Sequence, residues 1–384
     1  MRWIILALAT LIAAAALLNL VRAPDWSWVW KLAIITGEFG HWLVLLPLGL
    51  AVLAGLTLDG GARVTALALC AFAVGALLRP LVSAQSIAEN LPRELRAAFG
   101  GEAHREAFSF SRLYFHPRPP AGDVVTEIFA RPDGVDLRLD FYAATKTDGT
   151  GKPAPCIVVI HGGGWDSGDR AQLAEWNSRW AARGYAVASV SYRLAPKWIW
   201  PAQREDVLAA IAWLKLHADN LGLDPVRLVL FGRSAGGQLA VAVGYGAHDP
   251  AIRGVVSLYA PHDMRFAWSV SREDDALNSI NLMRQYFGGP PDTPERVARY
   301  ESASGQLLLN KNSPPTLLIH GVPDTLAWDR HSERLTMRLQ EVGVPHYYLR
   351  LPWATHGFDY NLNGPGGQLA DCAIDQFLAA VTKR

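Results

Sequence analysis

The sequence predicts an α/β fold, with a mostly parallel central sheet and helices on both faces, preceded by an α-helical membrane region. Hydrophobic residues make up 50% of the 384 residues, and most of the excess lies before residue 84. After residue 123, short apolar runs alternate with segments of helical periodicity. We therefore divide the chain into a membrane region at 1–84, a connecting or cap segment at 85–122 and a globular domain at 123–384.

The membrane region contains three apolar runs without Asp, Glu, Lys or Arg, at 3–21, 39–58 and 64–78. A transmembrane helix needs about 20 apolar residues to cross about 30 Å of hydrocarbon. The third run is short unless Arg63 and Arg79 extend to the two membrane surfaces. We predict about three transmembrane helices, hence a multi-pass protein with the lipid bilayer as a partner.

The first run is interpreted as an uncleaved anchor, because the nearest site resembling a signal-peptide cleavage site contains Arg22. The count of positive residues beside the runs favours a cytoplasmic position for the globular domain, at a bacterial inner membrane. If the third run does not span, or if Arg2 and the first helix dominate, the domain lies on the opposite side.

Residues 26–31 form an aromatic cluster ending in a lysine, which suits a membrane–water interface. Glu38 and His41 lie at the edge of the second run, so we place them among the lipid headgroups. Residues 87–99 have amphipathic helical spacing, and the helix could lie on the membrane, cap the active site or pack against the globular domain. A proline-rich run at 117–120 follows.

The globular domain opens with two runs, 124–130 and 135–142, which predict an antiparallel hairpin. Continuous apolar runs, typical of strands buried on both faces of a parallel sheet, follow at 156–160, 185–190, 228–231, 255–258 and 316–319. Helical segments such as 201–219 separate them. A functional site is therefore expected at the carboxyl ends of the strands.

Ser234 lies in the run Gly232-Arg233-Ser234-Ala235-Gly236, between a predicted strand and a predicted helix at 238–247. A tight turn of this kind needs small residues on both sides of the serine and lifts its hydroxyl clear of the sheet. The amino terminus of the following helix favours developing negative charge. We predict that Ser234 is a nucleophile.

A second motif, His161-Gly162-Gly163-Gly164-Trp165, follows the strand at 156–160. Consecutive glycines let backbone N–H groups converge on one point, as an oxyanion hole requires. The predicted donors are Gly162, Gly163 and Ala235, the residue after the nucleophile. The ring of His161 is expected to brace this loop.

A serine nucleophile needs a base, and His356 follows the predicted strand at 346–351. His320, at the end of another strand, is the competing histidine. Asp324, in the loop after strand 316–319, is the predicted acid that orients the histidine. Asp329 is the alternative acid, but it is expected at the next helix in a surface or capping role.

With these motifs in this order, residues 124–383 resemble the α/β-hydrolase superfamily, and within it the hormone-sensitive-lipase-like and bacterial feruloyl-esterase-like carboxylesterases. The run at 192–196 is similar to a segment that braces the pocket in those enzymes. The resemblance implies an α/β-hydrolase fold and a serine esterase that hydrolyses lipid, acetyl or aryl esters through an acyl-enzyme. The insertion at 263–305 is expected to form a lid, and Trp165, Tyr192 and Arg233 are the expected substrate-binding residues.

Arg233 departs from the pattern, because many of the lipase-like enzymes carry an acidic residue there. A cation beside the nucleophile could meet an anionic substrate or Asp263, or could form a structural ion pair. The substitution favours the feruloyl-esterase-like or isoprenylcysteine-methylesterase-like branch. Because the same triad cleaves several acyl bonds, thioesterase or peptidase activity is an alternative. A catalytically silent, membrane-bound binding module, as some relatives are, is another. No oligomeric state is predicted.

Composition restricts the partners further. Lys and Arg total 36 against 35 Asp and Glu, a formal net charge of +1, so no overall field favours nucleic acid. Three cysteines form no disulfide framework. No metal-ligand constellation is recognisable, and we predict neither a metal nor a cofactor.

Overall fold

The computed structural model describes residues 1–101, 106–115, 122–145 and 152–383. The proline-rich run at 117–120 lies outside these residues. The amino-terminal part is helical, with helices α1 (Arg2–Leu17), α2 (Ser27–Glu38), α3 (Gly40–Leu43), α4 (Leu45–Thr57), α5 (Gly60–Phe99) and α6 (Phe110–Tyr114).

Eight strands form one sheet in the described part of the globular domain. They are β1 (Val124–Ala130), β2 (Leu137–Tyr142), β3 (Ala154–Ile160), β4 (Ala186–Val190), β5 (Leu223–Arg233), β6 (Ile252–Leu258), β7 (Thr316–Gly321) and β8 (His346–Leu351). Their order is β1-β2-β4-β3-β5-β6-β7-β8, and β2 pairs antiparallel with both β1 and β4. The remaining pairs are parallel. The predicted α/β fold with an opening hairpin is confirmed.

The globular domain contains further helices, which cover both faces of this sheet or lie in the insertion at 263–305. They are α7 (Ala174–Ala181), α8 (Ala202–Leu216), α9 (Ala218–Leu221), α10 (Ala235–Gly246), α11 (Met264–Val270), α12 (Ser279–Phe287), α13 (Pro294–Ser302), α14 (Gly305–Leu308), α15 (Arg330–Val342) and α16 (Pro365–Val381). Alternate strand residues face opposite sides. Val158 therefore packs in the core that contains α8, α10 and α15, while Val159 packs in the core that contains α5, α7 and α16.

Helix α5 is a single helix of 40 residues that runs through the predicted division at residue 84. Its first half packs against α1 and α4 through small residues such as Ala66 and Ala73. In its second half, Leu91 and Leu95 are buried in the core beneath the sheet. Of the three alternatives for residues 87–99, the structure shows packing against the globular domain.

By length and composition, two helical stretches among the described residues could cross a membrane, Gly40–Thr57 and Gly60–Phe99. Helix α1 is apolar but has only 16 residues. Of the three predicted spans, the second and third therefore lie in helical stretches that are long enough to cross a membrane. The third predicted run is not an isolated short span, because it continues into the second half of α5.

Glu38 is buried inside the protein, so its predicted position among lipid headgroups is wrong. Its carboxylate accepts hydrogen bonds from Trp353 Nε1 at 3.2 Å and from the backbone N–H of Gly366 at 2.9 Å. Asn361 Nδ2 donates to the Glu38 carbonyl at 3.0 Å. Gly366 lies in the first turn of α16, where backbone N–H groups lack helical partners and can donate to the Glu38 carboxyl group. The amino-terminal helices are thereby docked onto the globular domain. His41 is buried as well, with Nε2 3.1 Å from the Leu113 carbonyl oxygen.

The buried Glu38 predicts a loss of stability in alkali. Burial raises the pKa of Glu38 from 4.5 to about 8. Because the folded pKa exceeds the unfolded value, the protonated carboxyl favours the folded state below pH 4.5, and this contribution is lost as the pH rises through about 8. The shift corresponds to at most about 5 kcal/mol.

We expect the melting temperature of the wild type to fall between pH 5 and pH 9, and Glu38→Gln to remove part of that fall. Tryptophan fluorescence during thermal unfolding measures it. Glu127→Gln, at an exposed position of β1, is the control and should keep the wild-type slope. An unchanged slope in Glu38→Gln would contradict the assignment.

Candidate active site

Ser234 occupies a sharp turn between β5 and α10. Its backbone has φ +53° and ψ −121°, which a non-glycine residue adopts only when its surroundings enforce it. A Cβ at Gly232 would lie 2.0 Å from the Gly236 carbonyl oxygen, and one at Gly236 would lie 2.1 Å from the Ile160 carbonyl oxygen. The two flanking glycines are therefore required by close backbone packing, as the motif predicts.

Ser234, His356 and Asp324 form one chain of hydrogen bonds. Ser234 Oγ is 2.9 Å from His356 Nε2, and His356 Nδ1 is 2.8 Å from Asp324 Oδ2. Since the ionised carboxylate only accepts, Nδ1 donates to it and Nε2 is left to accept the serine proton. The other carboxylate oxygen accepts from the backbone N–H groups of Leu326 and Ala327 at 2.8 and 3.0 Å. The structure brings the three predicted residues together, with His356 between Ser234 and Asp324.

Asp324 is fully buried yet favours its ionised form. Burial alone would raise its pKa, but the adjacent His356 and the hydrogen bonds from His320 and His356 outweigh burial and hold the pKa well below its usual range. His320 is buried, with Nε2 3.3 Å from Asp324 Oδ2 and Nδ1 2.8 Å from Ser332 Oγ. The competing histidine therefore supports the acid and does not contact the serine.

Asp329 precedes α15 and accepts a hydrogen bond from Arg350 Nη2 at 3.1 Å. Its side chain is buried, and it pairs on its other side with Arg22 at 3.8 Å. The alternative acid thus belongs to an ion-pair network between β8 and the amino-terminal segment.

The glycine loop reaches the serine, but its predicted donors are not equivalent. The N–H of Gly162 donates to Gln172 Oε1 at 2.8 Å, so a side chain already takes this donor. Gly163 has φ +123°, and a Cβ there would lie 2.2 Å from the Ser167 carbonyl oxygen. Ala235 opens α10, so its N–H belongs to the unpaired first turn of a helix. The predicted oxyanion donors that are not taken by another side chain are therefore Gly163 and Ala235.

Tyr192 braces the glycine loop from beneath, which corrects its expected role in substrate binding. Its hydroxyl donates to the His161 carbonyl at 3.1 Å, and the two rings stack with centroids 4.2 Å apart. His161 Nδ1 lies 2.8 Å from the Gly162 carbonyl oxygen, as a bracing ring should. Tyr192 is buried and is not among the described residues that line the two cavities at Ser234.

Arg233 forms a structural ion pair. Its side chain is 2% exposed, and its Nε pairs with Asp359, which also accepts from the Tyr259 hydroxyl at 2.5 Å. The guanidinium lies over the Phe231 ring, 4.6 Å from the centroid. The expected neighbour, Asp263, instead pairs with an arginine of α15 and caps α11.

Sequence reasoning did not identify Asp359 as a site residue. The available signal was its position, three residues after His356 in the loop that follows β8. The intended partner of Arg233 could not be found from spacing, because the pair is 126 residues apart.

Two cavities meet at Ser234 and His356. The larger has a volume of about 910 Å³ and includes Trp30, Ile34 and Ile35 from helix α2 in its wall. The sequence predicts only an interfacial aromatic cluster at 26–31, so the contribution of helix α2 to the site is missed. The aromatic cluster was the local signal, but it carries no information about its contact with His356, 326 positions away.

The smaller cavity, of about 140 Å³, lies against the insertion at 263–305. Met283 of α12 and Trp165 of the glycine loop line it. Trp165 stacks on Tyr286 with centroids 4.4 Å apart and donates from Nε1 to Gln238 at 2.9 Å. The insertion therefore covers this side of Ser234. Among the described residues, no group of three His, Cys, Asp or Glu could hold a metal ion.

A mostly parallel sheet that carries a serine turn, a histidine and an aspartate at its carboxyl edge defines the α/β-hydrolase fold. Solved structures agree. A bacterial heroin esterase has a TM-score of 0.57 and 25% identity, over 68% of this chain and 85% of that chain. The esterase Est2 from Thermogutta terrifontis has a TM-score of 0.54 and 22% identity, over 67% and 92%.

The family model BD-FAE matches residues 139–339, more than half of the chain, and the chain belongs to this family. It is similar to esterase LipC of Mycobacterium tuberculosis, with 33% identity over 224 residues, which is 54% of each chain. LipM of the same organism, a probable carboxylic ester hydrolase, is 29% identical over 63% of this chain and 58% of its own. The chain thus spans little more than half the length of these two relatives.

An ethyl acetate hydrolase from Pseudomonas putida is 27% identical over 72% of this chain and 91% of its own length. The matched family region begins at residue 139. Helix α2, which contributes to the larger cavity, therefore lies before the region that defines the family.

Proposed function

We propose that this protein is a membrane-anchored serine carboxylesterase that hydrolyses carboxylic esters through an acyl-enzyme. The observation that carries the proposal is the hydrogen-bonded chain from Ser234 through His356 to Asp324. A serine with a base in hydrogen-bond contact, and a base oriented by a third group, is the arrangement that nucleophilic catalysis requires. The names of the relatives, which describe ester hydrolases, support the same bond type.

In the proposed mechanism, Ser234 Oγ attacks the ester carbonyl while His356 Nε2 accepts its proton. The N–H groups of Gly163 and Ala235 stabilise the oxyanion. His356 then gives the proton to the departing alcohol, which leaves Ser234 acylated. A water molecule attacks the acyl group after transferring a proton to His356, and the acid departs as that proton returns to Ser234. Asp324 stabilises the histidine cation throughout.

The proposal includes anchoring in a lipid bilayer through the apolar helices. The stretch Gly40–Thr57 and the first half of α5 are long and apolar enough, and α1 packs beside them. Arg22 and Arg79 contact the globular domain, whereas Arg63 lies near the opposite end of α5. Positive residues therefore concentrate on the side of the globular domain, which favours a cytoplasmic position at a bacterial inner membrane.

A fluorophosphonate probe tests the nucleophile directly. The full chain in detergent is expected to form one covalent adduct, which tandem mass spectrometry should locate on Ser234. Ser269→Ala, a change of the same chemistry at an exposed position of α11, should label like the wild type. A catalytically silent binding module would not label, and an adduct on another residue would also overturn the proposal.

A further inference from the structure

Helix α2 lines the larger cavity at the serine, although it precedes the family-defining region by more than 100 residues. Trp30 and Ile34, one turn apart on the helix, line this cavity together with the glycine loop residues Gly162 and Gly163. A segment whose composition fits a membrane interface thus forms part of the site.

Two contacts fix α2 against the catalytic histidine. Trp30 Nε1 donates to the His356 carbonyl oxygen at 2.8 Å. A Cβ at Gly357 would lie 3.6 Å from Ile34 Cδ1, so the helix and the histidine loop are at van der Waals distance. At the end of α2, the buried Glu38 docks into the first turn of α16. These contacts fix the position of the cavity wall relative to His356.

The chemistry of the cavity favours a hydrocarbon ligand. Its wall includes Ile34, Leu173 and Leu282 besides the aromatic rings. The Lys, Arg, Asp and Glu side chains of the wall carry no net charge. Arg233 pairs with Asp359, and the one remaining positive charge, on Lys31, is balanced by the one remaining negative charge, on Asp166. The volume of about 910 Å³ lies near the upper end of the usual range for small-molecule pockets. The smaller cavity, of about 140 Å³, has room only for a short group.

Part of the rim of the larger cavity is apolar and exposed, beside the exposed polar residues Lys31 and Ser167. Ile35, Leu277 and Tyr360 line the cavity and are 44%, 38% and 70% exposed. Trp26 and Trp28, at the start of α2, are also exposed. Helix α2 leads within one residue into the apolar stretch Gly40–Thr57. In the proposed membrane orientation, exposed tryptophans beside the spanning helices lie at the depth of the headgroups.

We propose that α2 forms the wall of a subsite for the long acyl chain of a membrane-resident ester, and that this chain enters from the bilayer between α2 and the loop that carries Leu277. The inference rests on the proposed function and names its substrate class. Each methylene buried in such a subsite raises kcat/KM by up to about fourfold, equivalent to about 0.8 kcal/mol.

The test uses the full chain reconstituted in phosphatidylcholine vesicles, with the acetate and palmitate esters of 4-methylumbelliferone. Ile34→Trp fills the cavity and is expected to lower the ratio of kcat/KM for the palmitate ester to kcat/KM for the acetate ester at least tenfold, and this ratio is the readout because Ile34 also contacts the histidine loop. Leu32→Trp is the matched control, because Leu32 is half-buried on the same helix and is not among the cavity-lining residues. It should keep the wild-type ratio of the two esters.

A second measurement tests whether the acyl chain enters from the bilayer that holds the enzyme. The palmitate ester is placed either in the vesicles that hold the enzyme or in separate protein-free vesicles, and hydrolysis should be at least tenfold faster in the first case. Equal rates in the two cases, or an unchanged ester ratio in Ile34→Trp, would overturn the inference while leaving esterase activity intact. A wild type that hydrolyses neither ester would overturn the proposed function as well.

Discussion

Replacing Ser234 by alanine is expected to lower kcat/KM for p-nitrophenyl acetate by about 10⁵- to 10⁶-fold. The reason is that no other hydroxyl in hydrogen-bond contact with His356 Nε2 is found in the described structure. The remaining rate is the one that oxyanion stabilisation and substrate binding provide without a nucleophile. Stopped-flow or steady-state release of p-nitrophenol measures the change.

The substitution should leave the fold intact, because alanine fits wherever serine does at this turn. Circular dichroism and the melting temperature provide that check. Ser269→Ala is the control for a lost serine hydroxyl and should retain full activity. If Ser234→Ala kept more than a few per cent of the wild-type rate, the nucleophile would have to be another residue.

Asp324→Asn is expected to lower kcat by about 10⁴-fold, with little change in KM. An asparagine can present its NH₂ group to His356 Nδ1, and the histidine then carries its proton on Nε2, where it cannot accept one from the serine. The carboxylate also accepts from the backbone N–H groups of Leu326 and Ala327, so its position is fixed before substrate binds. Steady-state kinetics over a range of p-nitrophenyl acetate concentrations separate kcat from KM.

Asp329→Asn provides the comparison, since Asp329 was the alternative acid and lies in an ion-pair network with Arg350 and Arg22. Its kcat should stay within a few-fold of the wild type, although its stability can fall. The reverse result, with Asp329→Asn inactive and Asp324→Asn active, would transfer the role of the acid to Asp329.

The parts of the molecule that local sequence determines were predictable. Strands β1 and β8 have the bounds that alternation and apolar runs indicate. The serine turn was recognisable because two glycines are needed where backbones approach within van der Waals contact. The predicted acid, Asp324, and the predicted base, His356, each follow a predicted parallel strand. Because parallel strands end at the same edge of a sheet, both residues were expected near Ser234.

The parts that depend on distant pairs were not predictable. Arg233 meets Asp359 across 126 residues, and Glu38 meets Gly366 across 328. Spacing along the chain carries no information about such contacts, so Glu38 was assigned to the headgroups from its neighbours alone. The role of Gln172 at the Gly162 N–H was hidden for the same reason, since it depends on how a loop folds back.

Helix α5 joins the apolar helices to the globular domain without a flexible joint, although Pro80 and Pro92 lie inside it. At about 1.5 Å per residue, its 40 residues measure about 60 Å, and the second half is packed along much of its length. Helix α5 therefore holds the globular domain, and Ser234 within it, at a fixed position relative to the amino-terminal helices. With the proposed anchoring in a bilayer, the enzyme would search for esters by lateral diffusion in two dimensions, and a fragment cut before residue 124 would lose both that confinement and the α2 side of the larger cavity.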